Sequence, residues 1–533
     1  MQFKSTILAL FTLVLSSQLF AQSSLVRGPY LNVGTSESVV IRWRTSASEI
    51  GEVKYGTDFN NLTQSISETD TTTEHELTIS GLSPATKYYY SIGTNGNVYS
   101  INDGSYFFKT SPEIGTDGNY RFWVLGDFGN GSQAQKDVKT GFLNNYTDVH
   151  TDAWIWLGDN AYGDGTDQEY QDKVFEVYPE VLKNTVVWPC PGNHDYGSID
   201  LGNNGPYYDI FTMPTNGEAG GEPTGEEGFY SFDYGNVHFL SLNTEYIIWI
   251  INDNNVFTDW LEEDLQNTEA DFIVAYWHQP AYSKGTHDSD DDFSRPQMMR
   301  ENILPILEEY GVDLVLAGHS HSYERSYLIN GHYGKSNTFD PQTMLLDGSN
   351  GNKDQGNAYI KTEADSSFGG TVYATVGCGG QKGDGSHPLN HPVMYMSTED
   401  YHGSMVIDVS GLEMTCKFID TTGAVLDEFT IQKGPSIVGV KEKTYDHNIF
   451  MNAYPNPFKK SFNIEFSLPK AEKIELSIYD VSGRLIDKVA EGKYNAGDHK
   501  IVYTPEEMST NGIYLLEIRT DDNLAMKRLI RME

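Results

Sequence analysis

Five short apolar runs in the middle of this chain each stop at a residue able to bind a metal ion. Phe122-Trp123-Val124-Leu125 leads into Gly126-Asp127-Phe128-Gly129, and Ala153-Trp154-Ile155-Trp156-Leu157 into Gly158-Asp159-Asn160-Ala161-Tyr162. Val186-Val187-Trp188 precedes Gly192-Asn193-His194-Asp195. Phe272 to Trp277 reaches His278, and Leu314-Val315-Leu316-Ala317 reaches Gly318-His319-Ser320-His321. Asp, Asn, His and Tyr offer nitrogen and oxygen donors suited to Fe, Zn or Mn, with no thiolate among them. A carboxylate shared by two ions holds them ~3.5–4 Å apart, the spacing that clamps attacking and leaving oxygens in displacement at phosphorus. A single Gly-Asp or Gly-His pair occurs by chance, and a lone histidine after an apolar strand is usually structural. Five such endings in order argue for a metal centre.

The elements that must position these residues follow from the runs themselves. A short run that is apolar throughout reads as a strand buried on both faces. In open α/β sheets, ligands bind outside the carboxyl ends of the strands. Helix-like segments lie between the runs, at Ser132 to Tyr146, Gln168 to Leu182, Phe257 to Gln266 and Pro296 to Tyr310. This alternation predicts parallel strands with helices on both faces. A hairpin-rich part follows (Gly228 to Asn243, Gly370 to Gly377, Gly403 to Ser410, Met414 to Ile431), so residues 119–432 read as an α/β sandwich of two packed sheets. Gly-rich stretches at Gly217 to Gly228, Gly348 to Gly356 and Gly377 to Gly385 read as surface loops, the last a candidate border of the site.

β-rich segments flank this region. Val39 to Arg44, Glu76 to Ile79 and Tyr88 to Ile92 are short strands within residues 25–112, with Tyr88 a candidate tyrosine corner. Gly81 to Tyr88 resembles the turn before the penultimate strand of fibronectin type III domains, which implies a sandwich of about seven strands. After a linker at 433–450, residues 451–533 alternate again at Phe462 to Leu468, Ile474 to Asp480 and Gly512 to Ile518, a small β-sandwich. At the other end, Lys4 and the run Ile7 to Leu15 read as a secretory signal peptide over residues 1–21, too short for a membrane span.

Composition narrows the function. At 533 residues the chain suits three or four domains of roughly 150 residues each. A formal charge of -39 argues against nucleic acid, whose phosphates require a basic face. It also repels anionic substrates, so a phosphate-handling site needs local positive charge, which metal ions supply. Three cysteines are too few for a disulfide framework, although one bridge stays open.

The five motifs together, continued by Ser322-Tyr323-Glu324-Arg325, resemble the calcineurin-like metallophosphoesterases and, within them, the purple acid phosphatases. Most of that superfamily has a histidine two residues after the first aspartate. This chain has Gly129 there, with Tyr162 where purple acid phosphatases place a tyrosinate that favours Fe(III). The resemblance implies a first ion, Fe(III), held by Asp127, Asp159, Tyr162 and His321. It implies a second, Fe(II), Zn or Mn, held by Asp159, Asn193, His278 and His319. His194 and His287 are implied as the substrate-handling histidines, His287 by spacing from His278 alone. Asp288, Asp290, Asp291 and Asp292 around it either raise its pKa or form a solvated acidic loop. The implied activity is a secreted acid phosphatase hydrolysing phosphate monoesters by attack of a metal-bound hydroxide. A phosphodiesterase or nucleotidase on the same metals is the alternative, and a non-catalytic surface binding protein a third reading.

The terminal domains carry resemblances of their own. Residues 25–112 are similar to the fibronectin type III-like domain of the longer purple acid phosphatases. Tyr454 to Phe458, Tyr479-Asp480-Val481-Ser482-Gly483-Arg484 and the basic end Lys527 to Arg531 resemble the C-terminal sorting domain of type IX secretion cargo. The implied partners are a small phosphate ester and the type IX outer-membrane machinery, with export through the periplasm and outer membrane to the surface or beyond. No transmembrane segment and no nucleic-acid scaffold are expected.

Overall fold

The computed structural model describes residues 23–434 and 450–531, apart from 95–96, 101–103, 197–203, 246–255, 291–294, 362–368, 455, 457, 469, 481–483, 506–511 and 521–523. The predicted leader and most of the predicted linker lie outside the described residues.

The five apolar runs are all strands and all fully buried, but they do not share one sheet. Asn119–Leu125, Ala153–Leu157 and Val186–Cys190 are parallel neighbours in a ten-stranded sheet. Phe272–Trp277 and Leu314–Ala317 are parallel neighbours in a seven-stranded sheet, between Val237–Ser241 and Val372–Val376. The two sheets meet face to face through aromatic rings: Trp188 stacks on Phe232 at 3.8 Å between centroids, and Phe122 meets Phe239 edge-on at 4.9 Å. Helices cover the outer faces, as where Phe142 of Gln133–Asn145 stacks on Trp123 at 4.2 Å. Burial on both sides explains the absence of polar alternation in these strands.

That first helix has a clear start: the Ser132 hydroxyl accepts from the Gln135 N–H. Two other predicted helices are broken. Gln168 to Leu182 becomes Asp167–Tyr170, a π-turn at Gln171–Phe175 and a separate Pro179–Leu182 turn. Pro296 to Tyr310 likewise splits into Arg295–Met298, a π-turn at Met299–Ile303 and Leu304–Glu309. Pro179 and Pro305 have no N–H to donate back one turn, so each helix is interrupted just before its proline.

Among the described residues the N-terminal region holds eight strands in two layers, one of which is continuous with the central domain. Leu25–Asn32, Val39–Glu49 and Thr72–Ile79 complete the ten-stranded sheet, with Leu31 paired in parallel to Val186. The remaining strands form a five-stranded layer over them. Tyr88 makes the expected corner, its phenol oxygen accepting from the Ser83 N–H at 3.0 Å. Residues 450–531 form a three-stranded and a four-stranded sheet around a core of their own, built from Phe462, Ile464, Leu476, Ile478, Leu516 and Ile518 among others. All three cysteines are buried and free, which settles the open bridge. No helix among the described residues is long and apolar enough to cross a membrane, which does not bear on β-barrels.

Candidate metal centre

The carboxyl ends of the two sheets bring the sequence-predicted residues together. Asp127 and Asp159, from neighbouring strands of the larger sheet, are buried, as is His278 from the smaller one. The His278 Nε2 lies 3.2 Å from Asp159 Oδ1, 3.2 Å from Asn193 Oδ1 and 3.2 Å from His319 Nδ1. Four donor atoms from four loops thus converge on one point. The other ring nitrogen of His278 is 2.9 Å from the Leu157 carbonyl. That carbonyl accepts a hydrogen bond from the Nδ1–H, which fixes the ring with Nε2 facing the other donors, the orientation that metal-ligating histidines adopt.

A second group of donors gathers around Asp127. The Tyr162 hydroxyl is 2.9 Å from Asp127 Oδ1 and 3.3 Å from His321 Nε2, and the His319 N–H donates to Asp127 Oδ2 at 2.7 Å. Asp127, Asp159 and His319 hold φ of 54°, 50° and 64°. Left-handed backbone costs a non-glycine residue about 1–3 kcal/mol and persists where the surroundings over-determine it, often at functional sites. Gly129 explains the missing histidine in steric terms. A Cβ there would sit 1.7 Å from the Asn160 carbonyl oxygen. Its own carbonyl accepts the Tyr162 N–H at 2.8 Å. Glycine at 129 and tyrosine at 162 are therefore two halves of one local arrangement.

His194 and His287 stand at the rim. The His194 N–H donates to Asp159 Oδ1 at 2.9 Å, its ring lies 4.7 Å from that of Tyr162, and its Nδ1 bonds the Gly163 carbonyl. His287 is exposed and stacks on His319 at 3.8 Å. Of the carboxylates beside it, Asp288 and Asp290 are bound by Lys284 Nζ, at 2.7 and 2.9 Å. Asp291 and Asp292 lie outside the described residues. The Gly377–Gly385 loop does border the site: Gly380 N–H donates to the Asp127 carbonyl and Gly383 N–H to that of His321.

Other residues shape the site although the sequence assigned them no role, Asp195 among them at the close of the Gly192–Asp195 motif. Buried Asp195 accepts from the N–H groups of Asn160 and Gly192, from the Asn160 amide and from the Tyr170 hydroxyl, tying the Asp159 loop to the Asn193 loop. Lys173 Nζ reaches the Tyr162 carbonyl and the Glu169 carboxylate.

Three segments of the chain match family models. Residues 120–323 match the calcineurin-like phosphoesterases, 26–110 the purple acid phosphatase N-terminal domain, and 452–532 the secretion system C-terminal sorting domain. The middle of the chain is a calcineurin-like phosphoesterase domain. Among curated relatives, acid phosphatase type 7 of Mus musculus is 26% identical over 276 residues, 48% of this chain and 57% of that one. Phosphoenolpyruvate phosphatase of Allium cepa is 26% identical over 317 residues, 55% and 61% of the two chains. The chain therefore spans somewhat over half the length of these relatives. A purple acid phosphatase from Lupinus luteus seeds shares the fold, with a TM-score of 0.59 at 18% identity over 77% of this chain and 75% of that one.

The electrostatics of the phosphoesterase domain test whether this donor set suits cations. Burial, only partly offset by the His278 charge, pushes the Asp127 carboxyl well above its usual range. Burial also raises Tyr162, and the Asp127 and Asp159 charges add to it. Burial would lower His278, yet the Asp159 and Asp127 carboxylates bring it up to about 10. Burial and the neighbouring histidines hold His319 well below its usual value and bring His321 down to about 4. Burial would raise Asp159, yet the His278 charge holds it below its usual range, so one proton on His278 serves two carboxylates: Asp127 stays under-compensated, and His319 and His321 stay neutral with ring nitrogens able to bind an ion. Asp159, His278 and His319 each place a ligand atom within 4.8 Å of the others. The residues present fit metal ions.

Proposed function

We propose that this chain is a secreted acid phosphatase with a dinuclear metal centre, acting on phosphate monoesters. The observation that carries the reading is the convergence of oxygen and nitrogen donors from five strand ends, on two sheets, around Asp159. In this reading Asp127, Asp159, Tyr162 and His321 hold the first ion, and Asp159, Asn193, His278 and His319 the second. A tyrosinate oxygen favours Fe(III) in the first place, with Fe(II), Zn or Mn in the second. Bound there, the ions supply Lewis-acid charge for the phosphoryl group and lower the pKa of water.

The chain's own residues do the rest. Asn193 is a neutral donor, leaving more positive charge for a phosphate than a carboxylate would. His194 has its Nδ1 engaged by the Gly163 carbonyl, and its Nε2 stands 3.8 Å from Asp159 Oδ2. Protonated, that nitrogen donates to a phosphate oxygen. His287, at the exposed rim over His319, is placed to give a proton to the departing alcohol. The relatives' names, acid phosphatase and phosphoenolpyruvate phosphatase, support a monoester substrate. The match at 452–532 supports delivery by a type IX exporter to the surface or beyond.

Replacing Asp159 with Ala tests the site directly. The variant should fold, lose most bound metal and lose aryl-phosphate hydrolysis by at least about 10³-fold, because both ions lose a ligand. Retention of both metals with near-normal turnover would refute the assignment. Tyr162→Phe should bleach the visible band of the iron-loaded protein while costing less turnover than Asp159→Ala.

A further inference from the structure

The turn that carries His287 is bolted to the turn that carries His319 and His321, and the bolt is a buried carboxylate. Glu324 lies on the strand Tyr323–Ser326, just after the two histidines, and is fully buried together with Ser283, Ser320 and Ser322. Its Oε1 accepts from Ser322 Oγ at 2.9 Å and from Ser283 Oγ, and its Oε2 accepts the Lys284 N–H at 3.1 Å. Ser283 Oγ also reaches Ser320 Oγ at 2.9 Å and accepts the Gly285 N–H at 3.1 Å. One residue on, the Thr286 hydroxyl accepts the His321 N–H at 2.9 Å. The approach is so close that a Cβ on Gly285 would lie 2.4 Å from Ser320 Oγ and 2.6 Å from Ser322 Oγ. Ser289 closes the far side, its N–H donating to the Ser283 carbonyl at 3.0 Å.

Burial raises the Glu324 carboxyl above its usual range and the hydroxyl and amide donors around it partly offset this, so the group depends on those donors to be satisfied in its buried place. What they fix here is the distance between two turns of different origin. Ser283 to His287 belongs to the long loop after Phe272–Trp277, whereas Ser320 and Ser322 alternate in sequence with His319 and His321. The stack of His287 on His319 at 3.8 Å is the visible product of that docking.

We propose that Glu324, acting through Ser283, Ser320 and Ser322, is a positioning residue that sets His287 over the metal centre. The inference rests on the phosphatase reading, since it gives His287 work to do. A displacement of about 1 Å of a positioned group can cost about 100-fold in rate. Glu324→Ala should therefore lower kcat on an aryl phosphate by about 10- to 100-fold with a much smaller change in KM. Glu324→Gln, which keeps one acceptor oxygen, should recover part of the loss. Metal content should stay at the wild-type level. In a His287→Ala background the same Glu324 substitutions should cost less than about twofold more, because residues acting as one unit are not additive.

Hydrogen exchange supplies a readout apart from turnover. In both metal-free and metal-loaded protein, amides of 283–290 should exchange faster in Glu324→Ala, while those of Ala153–Leu157 should not change. Additive losses in the double variant, or unchanged exchange in 283–290, would overturn the proposal. If Glu324→Ala fails to fold, Ser283→Ala carries the same expectations in milder form. If the wild type is inert on phosphate esters, the phosphatase reading falls, and the exchange measurement still decides whether Glu324 holds the His287 turn.

Discussion

The two terminal regions are both β-rich and look alike in sequence, yet the structure treats them differently. The N-terminal strands complete the central sheet and share one continuous apolar core with it, from Leu31 and Trp43 through Trp123 and Trp154. Polar bonds reinforce the join. Arg27 and Arg44 both bind the Asp167 carboxylate, Arg42 donates to the Asp209 carbonyl at 2.8 Å, and the Tyr30 hydroxyl to that of Ile210 at 2.7 Å. The C-terminal region has a separate core and separate sheets. Its charge differs too: residues 451–533 carry 12 Lys and Arg against 13 Asp and Glu, and the preceding 450 residues 24 against 62. A domain boundary is thus a matter of where apolar surface is buried, which strand content alone does not reveal.

Deleting residues 23–112 should have the largest effect. It strips the paired neighbour from Val186–Cys190 and uncovers the rings of Phe175 and Phe211, which Tyr30 covers at 4.7 and 6.3 Å. An open edge beside exposed aromatics is an aggregation hazard. The expected outcome is little or no soluble, cooperatively melting protein. A truncated protein that melts like the intact one would show that the shared sheet is dispensable and erase the contrast.

Asp167→Ala should do less, but still measurable, harm. Arg44 and Arg27 lose their shared carboxylate, and Arg27, whose side chain is wholly buried, keeps Gln171 Oε1, the residue-167 carbonyl and the face of the Phe175 ring at 4.2 Å. Because Asp167 is itself nearly half exposed, the cost is set at about 1–2 kcal/mol, below that of a fully buried pair. The Arg44 hydrogen bond holds the Asp167 carboxyl down at about 2. A depressed folded-state pKa gives stability that is complete above the unfolded value of about 3.9 and is lost as pH falls toward 2. The stability gap between wild type and Asp167→Asn, measured by denaturant melts, should be flat above about pH 4.5 and narrow only below it. A gap that vanished already at pH 5 would assign the join to something other than this carboxylate.

The same contrast marks what the sequence could and could not say. Asp127, Asp159, His278 and the His319–His321 pair were legible because each follows a fully apolar run, and a strand end is a local feature. The partition of those runs between two sheets was not, since hydrophobic periodicity names a buried strand and not its neighbour. Asp195 and Glu324 stood within the recognised motifs, but what they hold in place was not legible, for a related reason. A buried carboxylate is defined by the hydrogen-bond donors around it, and those of Glu324 come from a turn some 40 residues earlier in the chain. Pro179 and Pro305 were readable helix breakers inside segments read as continuous helices.

Ending the chain at Gly434 should produce the smallest effect of all. The last strand of the phosphoesterase region, Val425–Lys433, pairs with Glu413–Asp420 on one side and Tyr359–Lys361 on the other. Its end is secured by residues that the truncation keeps: Lys433 Nζ pairs with Asp313 Oδ1 at 2.6 Å, and the Gly434 N–H donates to the Lys361 carbonyl at 2.6 Å. None of the residues proposed to hold metal lies beyond His321, and the core of 450–531 is assembled from its own side chains. Removing a unit that shares neither sheet nor core should leave metal content and aryl-phosphate turnover unchanged and move the melting temperature of the remainder by less than about 2 °C. In a host with the type IX exporter, the same truncation should hold the enzyme in the periplasm. Loss of turnover in the purified truncated protein would make the C-terminal region part of the working enzyme, and normal appearance outside the cell would take away its sorting role.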